Sequence, residues 1–194
     1  MARSSDQHWN RRWFLAMSAS AITLAAPGVS RAQEFDSDES FSRRNVSSFK
    51  LHDWRDHFDA LGKGILLADT NARFLQHWAA EGGMRVYPTS APLTDELTRR
   101  GYTEVVRKVD GPSWAPTPSM KERNPEWPDY VGPGPDNPLG THALYLSWQY
   151  YRIHGTNDTR KIGRRSSNGC IGLYNEQIAE VFARTPVGTQ VKLI

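Results

Sequence analysis

The chain has 194 residues, 38% of them hydrophobic, with 15 glycines, 12 prolines and one cysteine. That length holds one compact domain plus a short extra segment and excludes two full domains. The composition excludes a fibrous or wholly disordered chain, and no run approaches the roughly twenty apolar residues of a membrane span. The formal charge of +3 belongs to the first 32 residues, where Arg3, Arg11, Arg12 and Arg31 stand against Asp6; the remainder is neutral. With no basic stripe and no glycine-rich phosphate loop, nucleic acid is not an expected partner.

In chain order, residues 1–32 read as an export signal. Arg11-Arg12 leads into an apolar run from Phe14 to Ala26 that is too short to cross a bilayer. Pro27 and Gly28 then break it, and Ser30-Arg31-Ala32 supplies the small residues of a cleavage site. The paired arginines predict twin-arginine export to the periplasm or cell envelope; the alternatives are the Sec route and an uncleaved anchor. Residues 33–47 are acidic and serine-rich, the composition of a flexible mature N-terminus. Residues 48–194 form the single domain.

Within it, Leu51, Trp54, Phe58 and Leu61 recur at helical spacing and predict an amphipathic turn and a half. Ile65 to Ala68, the polar turn 69–72 and Arg73 to Trp78 predict a hairpin. Met84 to Pro88 and Tyr102 to Val109 are further strands. Residues 111–140 are rich in proline and hold Trp114 and Trp127, which predicts an ordered loop over a groove. Thr141 to Leu146 and Tyr150 to His154 read as two more strands. A helix through Asn175, Ile178, Val181 and Phe182 and a final strand within 186–194 complete the pattern. The fold class is mainly β, a sandwich or mixed sheet with one or two short helices.

The chemistry concentrates around the lone cysteine, Cys170. In an oxidising compartment structural cysteines pair, so an unpaired one is inert and buried, an intermolecular partner, or a reactive thiol. A thiol attacks as the thiolate and needs a base or a positive field beside it. His154 ends a predicted strand sixteen positions upstream, and two adjacent strands joined by a loop would bring the pair together. Gly169 permits close backbone approach, and its amide with that of Cys170 is suited to an oxyanion. The other histidines, His8, His52, His57, His77 and His142, lack a partner pattern and receive no role. His52, Asp53, Asp56 and His57 lack a third and fourth ligand set beyond the helix, and no metal is expected.

The ordered set His154-Gly155-Thr156, Ile162-Gly163, Ser167-x-Gly169-Cys170-Ile171-x-Leu173 and Asn175 resembles the catalytic signature of the L,D-transpeptidase (YkuD-type) family. Upstream, Pro133 to Thr141 and Ala143 to Leu146 resemble the segment preceding that histidine, so the likeness covers about residues 62–194. The resemblance implies a cysteine acyltransferase acting on peptidoglycan stem peptides in cell wall biogenesis and remodelling, monomeric and without cofactor. Cys170 would attack the donor, His154 would carry the proton, and the Gly155 carbonyl would orient the imidazole. Ser167, Asn168 and Gly169 would line the substrate and oxyanion site. Hydrolysis at the same residues (an L,D-carboxypeptidase) and a non-catalytic wall-binding module are the competing functions.

Two positions depart from the pattern. Asn168 stands where the family commonly has His, and Gly172 where it usually has Arg. The loss of that guanidinium suggests that Arg160, Lys161, Arg164 or Arg165 takes over an anion contact.

Overall fold

A strand that is apolar at every position is stable only when both of its faces are covered. The run Ile65-Leu66-Leu67-Ala68 is such a strand, and in a computed structural model describing residues 50–194 all four side chains are buried. Leu66 and Ala68 point into a large core cluster, while Ile65 and Leu67 face a second cluster with Phe58 and Trp78. The expected export signal and flexible N-terminus lie outside the described residues.

Among the described residues there are ten strands: β1 (Gly64–Asp69), β2 (Phe74–Ala79), β3 (Met84–Pro88), β4 (Ala91–Pro92), β5 (Gly101–Asp110), β6 (His142–Leu146), β7 (Arg152–His154), β8 (Arg165–Ser167), β9 (Ile171–Gly172) and β10 (Gln190–Leu193). Eight form one sheet in the order β3-β2-β1-β10-β5-β6-β7-β9, and β4 pairs with β8. The pairs β1–β10, β7–β9 and β4–β8 are parallel; the rest are antiparallel.

β5 joins the two halves of the sheet. Its first residues pair with β10 and the later ones with β6, with a register shift between Val105 and Arg107. Such a bulge bends and twists the strand, so the sheet curls around the core. Helix α2 (Asn175–Arg184) closes that core with Ile178 and Val181. The architecture is a mainly β, curled mixed sheet with few helices, as the sequence predicted.

The turn and a half expected over residues 51–61 is shorter than its spacing suggested. Only Trp54–Asp56 is helical, as one 3₁₀ turn, because the Asp53 carboxylate caps it at the Arg55 amide and a segment this short cannot propagate. Phe58 still buries, with Trp54 and Leu61 packed against it.

The proline-rich segment is ordered and contains a helix that its composition hid, α1 (Pro118–Arg123). Thr117 caps α1 at the Met120 amide, and Pro118 starts it, where a missing N–H costs nothing. Trp114 and Val131 exchange backbone hydrogen bonds of 2.9 and 2.8 Å. The fully buried Asn137 donates to the carbonyls of Pro112 and Gly132 at 2.7 and 2.9 Å. These bonds fold the loop back upon itself.

Candidate active site

β7 and β9 lie side by side, with Ile153 opposite Ile171 and His154 opposite Gly172. Cys170 and Arg152 each stand one residue before the Ile153–Ile171 pair. Side chains two apart share a face, so Arg152, His154, Cys170 and position 172 all project to one side. Diagonal neighbours of this kind lie ~7–8 Å apart at the backbone, within reach of an imidazole. Arg152, His154 and Cys170 line the same cavity of about 400 Å³, together with Trp114 and Trp127 of the proline-rich loop.

The imidazole is held from one side. His154 is only 9% exposed, and its Nδ1 hydrogen-bonds to the Gly155 carbonyl. A carbonyl only accepts, so the proton sits on Nδ1 and Nε2 keeps its lone pair. Burial pulls the His154 pKa down to about 4; the Gly155 carbonyl opposes this, and the charges of Arg152 and Lys161 add to it. The ring is therefore neutral at neutral pH, a proton acceptor.

Cys170 is partly exposed, and its Sγ donates to the Tyr150 carbonyl at 3.4 Å. Burial pushes its pKa up and the Arg152 guanidinium draws it back. The resting pair is a neutral thiol with a neutral imidazole. Tyr150, expected in a strand, instead takes φ +67° at the turn before β7. That left-handed conformation is uncommon outside glycine, and here the residue's carbonyl meets the thiol.

The turn before Cys170 is braced internally. Ser167 Oγ donates to the Cys170 carbonyl at 2.6 Å and accepts from the Gly169 amide at 3.4 Å. Gly169 has φ +127°, and a Cβ there would lie 3.4 Å from the Tyr151 ring, so both strain and space favour glycine. Asn168 Oδ1 accepts from Arg123 at 3.0 Å, which ties the turn to α1. Ser167, Asn168 and Gly169 all line the cavity.

Gly155 is fixed by its surroundings. Asn175, the first residue of α2, uses one side-chain oxygen to accept from the amides of Thr141 and Thr156, each at 3.2 Å. A Cβ at Gly140 or Gly155 would collide with that oxygen. The turn carrying the Gly155 carbonyl is thus locked by the helix.

The basic residues proposed for an anion contact divide. Arg165 is committed to Asp95 at 3.3 Å and to Asn71 at 3.2 Å, and Arg160 to Asp158 at 2.7 Å. Neither Arg165 nor Arg164 reaches the cavity wall; only Lys161 of the four does. Arg165 is taken up by Asp95 and Asn71, although Ser167, two residues on in β8, lines the cavity. Arg152, which the sequence reading passed over as part of a strand, lies on the wall instead.

Ser90 was also missed. Its Oγ accepts from the Gly172 amide at 3.0 Å, and its own amide donates to the Gly172 carbonyl at 2.8 Å. A Cβ on Gly172 would lie 2.6 Å from Ser90 Oγ. The segment 89–93 also clasps the cysteine loop through Ala91 to Arg164 and Leu93 to Ser167. His52 and His57 take Asp69 and Lys192 as partners, at 3.4 and 3.2 Å.

On this curled mixed sheet a cysteine and a carbonyl-anchored imidazole share one cavity, and the fold is that of the L,D-transpeptidases. The YkuD profile, L,D-transpeptidase catalytic domain, matches residues 63–193, and the chain belongs to that family. A Fuscovulum blasticum protein, provisionally named an L,D-transpeptidase, is 60% identical over 95% of this chain and 97% of its own length. The Escherichia coli protein ErfK/SrfK, named in the same provisional way, is 37% identical over 70% of this chain. The match spans 45% of ErfK/SrfK. Among solved structures, L,D-transpeptidase 3 from Mycobacterium tuberculosis superposes with a TM-score of 0.52 at 14% identity, over 68% of this chain and 61% of that one. At that identity the likeness speaks for the fold.

Proposed function

We propose that this chain is a peptidoglycan L,D-transpeptidase working through a thioester on Cys170, at the cell envelope. The observation that carries the reading is the His154 ring: anchored at Nδ1 by the Gly155 carbonyl, it keeps Nε2 free on the wall that Cys170 shares.

Nε2 takes the thiol proton as Sγ attacks the carbonyl of the donor's L-centre, at the amide it forms with the terminal D-residue. The C–N bond breaks, the proton passes from the imidazolium to the departing amine, and the acyl group stays on sulfur. An acceptor amine then attacks the thioester; His154 removes its proton and returns it to the thiolate. Amides of the Gly169–Cys170 turn suit the developing oxyanion. Because burial raises the thiol pKa and lowers that of the imidazole, proton transfer waits for substrate rather than standing complete at rest.

The test is mass analysis of a tetrapeptide muropeptide incubated with the exported form. Cross-linked dimers carrying an L,D amide, lost in Cys170→Ala, are the expected result. Trimmed monomers alone would assign hydrolysis to the same residues. Undiminished turnover in Cys170→Ala would remove the thioester from the account.

A further inference from the structure

We infer that Arg152 is the anion-recognising residue of this site, replacing the guanidinium that is absent at position 172 and holding a carboxylate of the substrate beside the thiol. The nature of that carboxylate, the terminal group of the departing D-residue, rests on the proposed donor chemistry; the anion site itself does not.

Three observations converge. The Arg152 Nη1 and the Cys170 Sγ both donate to the Tyr150 carbonyl, at 3.3 and 3.4 Å, so guanidinium and thiol meet at one oxygen. Second, Arg152 Nε is buried without a hydrogen-bond partner, and Arg152 forms no ion pair among the described residues. Arg152 is thus a cation on the cavity wall that no carboxylate among the described residues neutralises. The contrast with Arg160 and Arg165, each on a carboxylate, is direct. Third, the guanidinium carbon lies 4.7 Å from the centre of the Tyr145 ring, a cation–π contact that restrains the side chain. A planar fork with free N–H groups is the shape that grips a carboxylate through two bonds.

Position 172 cannot supply the same group without disturbance. Any Cβ there meets Ser90 Oγ, which is already bonded to the Gly172 amide. Arg152 lies on the neighbouring strand with its side chain on the same face, so it reaches the same wall from the other side.

The chain's only cysteine makes a direct assay available. Rates of alkylation by anionic iodoacetate and neutral iodoacetamide are measured on the native protein, and on the same protein unfolded in urea. We expect the iodoacetate-to-iodoacetamide ratio to be about fivefold or more higher in the native state, reflecting a charge-assisted contact. Arg152→Gln should bring the ratio close to the unfolded value, and Arg152→Lys should fall between. Lys161→Gln, removing the other cation on the wall, should leave it within about twofold. A native ratio no greater than the unfolded one overturns the inference and needs no variant to fold. So does an unchanged ratio in Arg152→Gln, or a larger loss in Lys161→Gln. A second arm compares tetrapeptides ending in a free acid or an amide: wild type should prefer the acid through KM, and Arg152→Gln should lose that preference. If the alkylation ratio responds while no peptide is turned over, the anion site stands and the proposed donor falls.

Discussion

His77 in β2 and His154 in β7 occupy two very different parts of the sheet, yet burial pulls both pKa values down to about 4. His77 is 2% exposed and shares a 3.4 Å contact with the Thr185 hydroxyl beneath α2. His154 is nearly as buried, but one of its nitrogens is fixed by a carbonyl and the ring lies on a cavity wall with a thiol. A depressed pKa therefore marks burial and nothing more. Under the proposed mechanism, what separates a packing histidine from a chemical one is the free nitrogen, the open space and the nearby thiol.

The sharpest way to break this comparison is to remove each ring in turn. His154→Gln should lower kcat by about 10²–10⁴, the usual worth of a positioned base, with the fold intact by circular dichroism. His77→Gln should leave kcat near wild type and lower the melting temperature. Equal losses of kcat in the two variants would erase the distinction.

Asn175→Ala should come next in size. It leaves the Thr141 and Thr156 amides without their acceptor, costing about 1–3 kcal/mol in denaturant unfolding, and loosens the Gly155 carbonyl that sets the imidazole. Activity should therefore drop with stability, whereas Thr185→Val, beside His77, should cost about 0.5–1.5 kcal/mol of stability and no activity.

The pH dependence of stability sharpens the same pair. Each histidine has a folded pKa below its unfolded value of 6.5, so the folded state binds fewer protons. Their stabilising contribution is complete above pH 6.5 and is lost as pH falls toward 4. Urea midpoints measured at pH 7 and pH 4.5 should fall less steeply for His77→Gln than for wild type. An identical slope would contradict the buried, neutral state of His77.

The smallest effect belongs to Ser90 and Gly172. Gly172→Ala should destabilise wild type more than it destabilises Ser90→Ala, with a coupling of about 0.5 kcal/mol or more in the double-mutant cycle. Additive effects would show that Ser90 does not restrict position 172.

The elements legible in the sequence were those whose signal is local. The hairpin of β1 and β2 announces itself by two apolar runs about a polar turn, and β5 and β10 by alternation. α2 has its apolar residues at the spacing that buries Ile178 and Val181. β4 and β9 have two residues each and β8 three, too few for any period to appear. α1 was concealed by prolines, although Thr117-Pro118 is itself a helix-start signal.

For the candidate site, residue types and order along the chain were enough to single out Cys170, His154 and Gly155, because that ordered set is specific and the cysteine has no partner. Long-range placement was another matter. Whether Arg152 or Arg165 lines the cavity depends on partners far away in the chain, since Arg165 is taken up by Asp95 and Asn71, 70 and 94 positions upstream. Ser90 meets Gly172 across 82 positions, and α1 reaches Asn168 across 45. Contacts of that separation leave no periodic trace in the chain, since they arise only when the curled sheet brings distant segments together. The sequence by itself determined the strand-rich class and singled out Cys170 and His154 as candidates; the tertiary structure decided which cation shares the cavity with the thiol, because contacts between distant strands place it there.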